Sequence, residues 1–272
     1  MGKLHLGDNL PYMEALDEGS VQLVYADPPF GTNTRRVGER GSYADSWSSV
    51  REYLGWLRPR LQQLRRVLAP SGTLYLHLDR RSVHHVRILL DEVFGARCFG
   101  NEIIWHYTGG GRGTRAFPHK HDNILVYHRG PDYKFNADAV REPYAPSSGY
   151  ARSGIRARSG KLYRPHPGGK LMDDVWSIPV INPLSPERTG YPTQKPEELL
   201  RRVILASSDP GDLVLDPFCG SGTSVVVAHR LGRRWVAVDS SPLAVEITRL
   251  RMERLGVTMA LSGSEPGGRC SS

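Results

Sequence analysis

Cysteine is scarce in this chain: Cys98, Cys219 and Cys270 are three residues in 272, and no two of them stand in a CxxC spacing. That usage argues against a disulfide framework and a cysteine-based zinc site, and for a reducing compartment. Long apolar runs are missing as well. No stretch approaches the roughly 18 residues of a membrane span. The opening MGKLHLGDNL lacks the apolar region of a signal peptide, Leu6 stands where a myristoylation motif needs Ser or Thr, and the closing CSS is no prenylation box. A soluble, cytoplasmic protein with no membrane partner is the expectation. There is no internal repeat, and the length suits one large domain, or a core plus a small insert.

What is present is an uneven positive charge. The net charge of +8 is carried by residues 105–170, which hold 12 Lys and Arg against 4 Asp and Glu, leaving 24 of each sign elsewhere. The same segment holds Trp105, Tyr107, Phe117, Tyr127, Tyr133, Phe135, Tyr144, Tyr150 and Tyr163. A charge run by itself is a solvated face. Basic side chains interleaved with rings also fit a polyanion whose bases can be stacked.

Periodicity outlines an α/β chain. Val21–Ala26 reads as a buried strand delivering the chain to Asp27. Leu54, Leu57, Leu61, Leu64 and Leu68 define a helix over 50–68, with Pro59 as a kink. Pro70-Ser-Gly72 ends it, Thr73–Leu78 is the next strand, and Val83–Phe94 is helical. Ile103–Trp105 and Ile124–Tyr127 are two further strands. From Gly130 to Gly190 periodicity fades into an irregular insert. Alternation then resumes: helix Pro196–Ala206, strand Asp212–Leu215, helix Thr223–Leu231, strand Trp235–Val238 and helix Pro242–Leu255, followed by a frayed tail from Gly256. Strands alternating with helices on both sides of the insert predict a doubly wound, mostly parallel sheet covered on two faces.

Two strings carry chemistry. In Asp216-Pro-Phe218-Cys-Gly220-Ser-Gly222-Thr223 a strand ends on an acid and a glycine turn opens a helix. Glycines let backbone approach a ligand, and the first helical turn offers free N–H groups. Strand 235–238 ends at Asp239, 23 residues after Asp216, where an acid can accept both hydroxyls of a ribose. An ordinary tight turn needs no ligand, but the placed acid favours one. NAD would want a third glycine where Val225 stands. Asp216 would repel a pyrophosphate, yet it suits the cationic amino and sulfonium groups of S-adenosylmethionine.

The other string is Asp27-Pro28-Pro29-Phe30. Two prolines remove two N–H donors and leave carbonyl oxygens. The Asp27 carboxylate and the Pro28 carbonyl can accept both hydrogens of an exocyclic amine and aim its lone pair at a methyl sulfonium. Phe30 can stack on a base that has left the duplex. Alone, Asp-Pro is most often a turn; the pairing with the cofactor turn is what favours chemistry.

On these strings the chain resembles the β class of DNA amino-methyltransferases, which make N6-methyladenine or N4-methylcytosine. Gly7-Asp8, Asn101–Trp105, Lys120–Tyr127 and Tyr191–Pro196 support the likeness, which runs from Gly7 to Leu255. The resemblance implies a single methyltransferase domain over 1–272 with a Rossmann-like fold, a DNA target-recognition insert at 105–190 and a disordered tail at 256–272. It implies catalysis by Asp27, Pro28, Pro29 and Phe30. For the cofactor it implies Asp8 at the adenine, Asp216 and Phe218 at the methionine part, the turn Gly220, Gly222 and Thr223, Asp239 at the ribose, and Lys195 closing the site. The family's fourth catalytic residue is usually Tyr; Phe30 keeps the face and loses the hydroxyl.

The implied activity is site-specific methylation of adenine N6 in double-stranded DNA, with cytosine N4 the nearest alternative and a catalytically silent DNA-binding regulator a further one. No metal is called for, because the sulfonium is already an activated leaving group. A short recognition region points to a homodimer, and the activity class to a cognate restriction endonuclease. Arg112, Arg115, Lys120 and Arg129 are the candidate DNA contacts. Gly109–Gly113 lacks the Lys-Ser/Thr of a P-loop and reads as a flexible basic loop. His119-Lys-His121 has no metal-site spacing, and Cys219 reads as a packing residue.

The confinement of charge generates a test. DNA affinity should fall with salt at a log–log slope of about −0.9 per phosphate contacted. Neutralising Arg112, Arg115 and Lys120 together should flatten that slope, as measured by fluorescence anisotropy over a salt series.

Overall fold

The structure, a computed structural model, describes residues 2–30, 47–108, 115–259 and 261–263 with their side chains, and 34–38 and 41–45 as backbone. The Gly109–Gly113 loop and Arg112 lie outside the described residues. Its principal elements, in order, are β1 (Gly2–Leu6), α1 (Asn9–Glu14), β2 (Val21–Ala26), α2 (Val50–Val67), β3 (Leu68–Leu78), α3 (Val83–Phe94), β4 (Phe99–His106) and β5 (His121–His128). There follow β6 (Val175–Ser177), α4 (Glu197–Ser207), β7 (Leu213–Asp216), α5 (Thr223–Arg230), β8 (Arg234–Asp239), α6 (Pro242–Glu253) and β9 (Leu261–Ser262).

The nine strands form one sheet in the order β6-β4-β5-β3-β2-β7-β8-β1-β9. β5 pairs antiparallel with β3 and β4, and every other neighbouring pair is parallel. From β2 the chain winds outward through β3 to one side; it returns at β7 and winds outward through β8 to the other. The winding reverses between β2 and β7, where open α/β sheets bind their ligands at the carboxyl ends of the strands.

Both faces are covered. Leu57, Leu61 and Leu64 of α2 and Val86, Leu89 and Leu90 of α3 pack with Val24, Leu74 and Leu76 in one core. Leu199, Leu200 and Val203 of α4, with Val225 and Val226 of α5, pack with Leu23, Tyr75 and Val214 in the other. Alternate residues of a strand thus serve opposite cores, as a period of two dictates. The start of α2 is fixed locally: Ser49 Oγ accepts from Glu52 N–H at 3.2 Å, and the Glu52 carboxylate accepts from Ser48 N–H at 2.7 Å. This reciprocal cap satisfies donors that a helix start leaves free.

Most expected elements are present, with four differences. The 50–68 helix passes directly into β3 at Leu68, so Pro70–Gly72 lie within the strand's span. Register there slips between Val21↔Leu68 and Leu23↔Thr73, which lets Pro and Gly sit off the ladder. β1 and α1 were not anticipated; β1 pairs with β8 from Gly2↔Trp235 to Leu6↔Asp239. The insert is seated on the sheet, since β6 pairs with β4 and Trp105 Nε1 donates to the Ile178 carbonyl at 2.8 Å. Beyond Gly256, where a frayed tail was expected, Leu261–Ser262 pair with Leu4–His5; residues 264–272 are outside the described set. No described helix is long and apolar enough to cross a membrane.

Leu61 is fully buried between α2 and the sheet. Leu61→Ala should cost about 2–5 kcal/mol of stability, read from urea denaturation midpoints at unchanged slope.

Candidate active site

Three carboxylates stand at the carboxyl ends of three adjacent parallel strands: Asp27 just after β2, Asp216 at the end of β7 and Asp239 at the end of β8. They line one cavity of about 340 Å³, together with Asp8, Lys195 and Phe218. The structure therefore brings the acceptor corner and the glycine turn together across the point where the winding reverses.

The turn is built around Asp216. Its Oδ1 accepts from Phe218 N–H at 3.0 Å, and the Ser224 hydroxyl donates to its Oδ2. Burial pushes the Asp216 carboxyl up to about 7, hydrogen bonds from Ser224 and Phe218 opposing and the charges of Asp27 and Asp239 adding to it. Gly222 has φ +72°, and a Cβ there would stand 2.5 Å from Thr248 Oγ1, so this position needs glycine for both conformation and space. Asp239 Oδ2 accepts from Gly220 N–H at 2.8 Å, and Oδ1 accepts from Ser241 N–H at 2.9 Å. The acid expected at a ribose thus also ties the turn to the start of α6; burial raises it too. Thr223 is buried at the start of α5, where its hydroxyl accepts from Arg251 at 3.2 Å. Cys219 is buried, its thiol pushed up by burial and by Asp239 and Asp216, which suits packing rather than nucleophilic chemistry.

At the far end of the cavity Asp8 caps α1, accepting from Leu10 N–H at 2.9 Å, and takes a guanidinium N–H of Arg60 on both oxygens at 2.9 Å. Arg60 also donates to Asn9 Oδ1 at 2.9 Å and lies 4.0 Å from the ring centre of Trp56. Asn9 in turn donates to the Pro217 carbonyl at 2.8 Å, and Trp56 and Phe218 have ring centres 6.0 Å apart. Two half-buried rings beside hydrogen-bonding side chains suit a planar, edge-polar group such as adenine. Trp56, Arg60 and Asn9 were missed from sequence; Trp56 and Arg60, four apart on α2, share a helix face, and that spacing was the available signal.

Lys195, expected to close the cofactor site, bonds Asp27 Oδ2 directly through its ammonium. Asp27 Oδ1 is buried with no hydrogen-bond partner among the described residues. Pro29 lines the cavity and Pro28 is buried beside it. Phe30 is only 8% exposed, with the Lys195 ammonium 5.7 Å from its ring centre.

The predicted DNA contacts divide. Arg115 is exposed and Lys120 half-buried in the β4–β5 connection, which opens on the same edge of the sheet as Asp27. Arg129 is not brought to the site. It follows the reversed strand β5 to the opposite edge, roughly 25 Å from Asp122, where it faces Glu18 at 3.9 Å. Among the described residues no three His, Cys, Asp or Glu groups are clustered as metal ligands.

An open, doubly wound sheet thus holds an acid-edged glycine turn beside a buried carboxylate corner at the point where its winding reverses. The profile of the DNA methylase family matches residues 21–249, and the chain belongs to that family. It is 32% identical over 242 residues to the type II methyltransferase M.HpaI of Haemophilus parainfluenzae, across 89% of this chain and 71% of that protein. It is 30% identical over 261 residues to the DNA adenine methyltransferase YhdJ of Escherichia coli K12, across 95% of this chain and 84% of that protein. The solved M1.HpyAVI complex with S-adenosylmethionine superposes at a TM-score of 0.60 with 19% identity, covering 93% of this chain and 99% of that one, a likeness of fold.

Burial keeps a proton on Asp216 up to about pH 7, well above the ordinary carboxylate range. This carboxyl's contribution to stability therefore falls as pH rises from about 4 to about 7. A cationic ligand favours the ionised form, so affinity for S-adenosylmethionine should rise from pH 6 to pH 8, with proton release on binding. Asp216→Asn should flatten that dependence. Calorimetry in buffers of different ionisation enthalpy measures both.

Proposed function

We propose that this chain transfers the methyl group of S-adenosylmethionine to N6 of adenine at a specific site in double-stranded DNA. The observation that carries the reading is the Asp27 carboxylate, with one oxygen held by Lys195 and the other buried beside the cavity and unbonded among the described residues. A buried acceptor without a donor is costly unless a ligand supplies one. An exocyclic amine is such a donor. The adenine assignment is supported by family membership and by the relative named a DNA adenine methyltransferase.

The cavity fits the cofactor. Asp216, Asp27 and Asp239 give it negative charge for a sulfonium and an amino group, and Trp56 and Phe218 flank the adenine end. When bound, S-adenosylmethionine supplies a methyl group on a positively charged sulfur, already an activated leaving group. The chain's own residues do the rest. Lys195 fixes the orientation of the Asp27 carboxylate, leaving Oδ1 to accept an amine hydrogen, and the Pro28 carbonyl is the candidate for the second. With both hydrogens held, the nitrogen lone pair is directed out of conjugation with the ring. Phe30 provides the apolar wall, and the β4–β5 connection with Arg115 and Lys120 provides charge for phosphates.

A cytoplasmic setting, a homodimer on DNA and a cognate restriction endonuclease belong to the same reading, the last of them supported by the type II designation of M.HpaI. Modification-aware sequencing of DNA from cells expressing the protein should report N6-methyladenine in one sequence context. N4-methylcytosine would replace the base assignment, and unmodified DNA would overturn the reading. Asp27→Asn should lower the single-turnover rate by roughly 10²-fold or more, while S-adenosylmethionine affinity changes far less. A rate near wild type would remove Asp27 from catalysis.

A further inference from the structure

Next to the acceptor corner runs a buried polar chain that the transfer itself does not use. The Tyr25 hydroxyl and His77 Nδ1 are 2.8 Å apart, His77 Nε2 lies 3.3 Å from Asp122 Oδ2, and the Tyr107 hydroxyl donates to Asp122 Oδ1 at 3.4 Å. Its members come from separate elements: Tyr25 from β2, His77 from β3, Asp122 from β5, and Tyr107 from the root of the β4–β5 connection. Burial, with Asp27, Asp216 and Asp122 nearby, holds the Tyr25 phenol well above its usual value. Tyr25 is therefore the donor to Nδ1, and Nε2 donates to Asp122. Burial raises the Asp122 carboxyl, but His77, Lys195 and Tyr107 outweigh it and leave it below the usual range.

The setting of His77 is unusual for a core position. It is fully buried, with the Phe30 ring 6.0 Å away at 24° and the Trp105 ring 5.5 Å away edge-on at 86°. An apolar ring of the same size would fill this slot without two nitrogens to desolvate. What the histidine adds is direction, because its bonds to Tyr25 and Asp122 fix the plane on which Phe30 rests. Asp122 also acts electrostatically on Lys195, the group that orients Asp27. The chain thus touches the catalytic corner at Tyr25, two residues before Asp27, and the basic connection at Tyr107.

We infer that His77 and Asp122 are positioning residues for target-base capture, setting the Phe30 wall and the Lys195 ammonium and linking both to the DNA-contacting β4–β5 connection. This rests on the DNA methylation reading, and the experiment separates the two. His77→Phe keeps the ring stack and removes both hydrogen bonds; Asp122→Asn, at the strand's edge, keeps the shape and removes the charge. The full-length variants are compared on a duplex carrying the site found by sequencing. The readouts are single-turnover methylation, the fluorescence of 2-aminopurine at the target position, and calorimetric S-adenosylmethionine affinity.

Each variant should lose methylation rate roughly tenfold and show a reduced 2-aminopurine rise, with cofactor affinity unchanged. The double variant should be no worse than the more impaired single one, as expected of groups acting as one unit. If His77→Phe does not fold, Asp122→Asn alone must show the combined loss of capture and rate. Wild-type base capture and rate in the folded variants would overturn the inference while leaving the methylation reading intact. So would losses that multiply, or a fall in cofactor affinity of the same size. A wild-type protein that neither methylates nor captures the base overturns both.

Discussion

Like charges crowded at low dielectric are the constraint on which this molecule depends. Asp27, Asp216 and Asp239 end neighbouring parallel strands and face one cavity, and the charges of Asp27 and Asp239 add to the cost of ionising the buried Asp216 between them. The protein meets that cost differently at each position. Asp239 spreads its charge over backbone N–H groups of the turn and of α6. Asp27 is matched by the Lys195 ammonium. Asp216 accepts from one hydroxyl and one N–H among the described residues, and burial carries its carboxyl up to about 7. A cation entering the cavity completes an arrangement that is short of positive charge.

The sheet makes that crowding possible. Strands some 4.8 Å apart present their last residues side by side, and the reversal of winding between β2 and β7 leaves a crevice above them. The two cores, α2 and α3 on one face and α4 to α6 on the other, hold those strand ends at fixed height. The glycine turn after β7 and the Asp27 corner after β2 therefore share one base.

Much of this was readable in the residues because it is local. Asp27 after a buried run, Gly220-Ser-Gly222 before an apolar helix and Asp239 at the next strand end are each defined within a few positions. The helices from Val83, Glu197 and Pro242 announced themselves by period. What was not readable depended on partners far along the chain. Lys195 lies 168 positions from the Asp27 it bonds, and Arg60 lies 52 from Asp8. β1 was missed because its five residues bury only Leu4 fully and show no alternation. Arg129 was misplaced because periodicity reveals a strand but not its direction: the two ends of β5 lie at opposite edges of the sheet. Pro70–Gly72 looked like punctuation, and tertiary pairing with β2 carried the strand past it.

The reversal of β5 has a consequence for how such a molecule can change. Because β4 and β5 run antiparallel, with His106 opposite His121, their connection leaves and re-enters the sheet at a single point. The intervening residues can lengthen, shorten or be replaced without altering any strand's register, and added closure entropy grows only slowly with length. The stretch between β5 and β6 is different: it leaves at the opposite edge, is tied to α4 through Asn136 N–H and the Ala206 carbonyl at 2.7 Å, and rejoins the sheet beside the last residues of β4. The edge that carries Asp27 is thereby a fixed frame, and the β4–β5 connection is a surface module that can vary in length while the strands that hold the carboxylates keep their places.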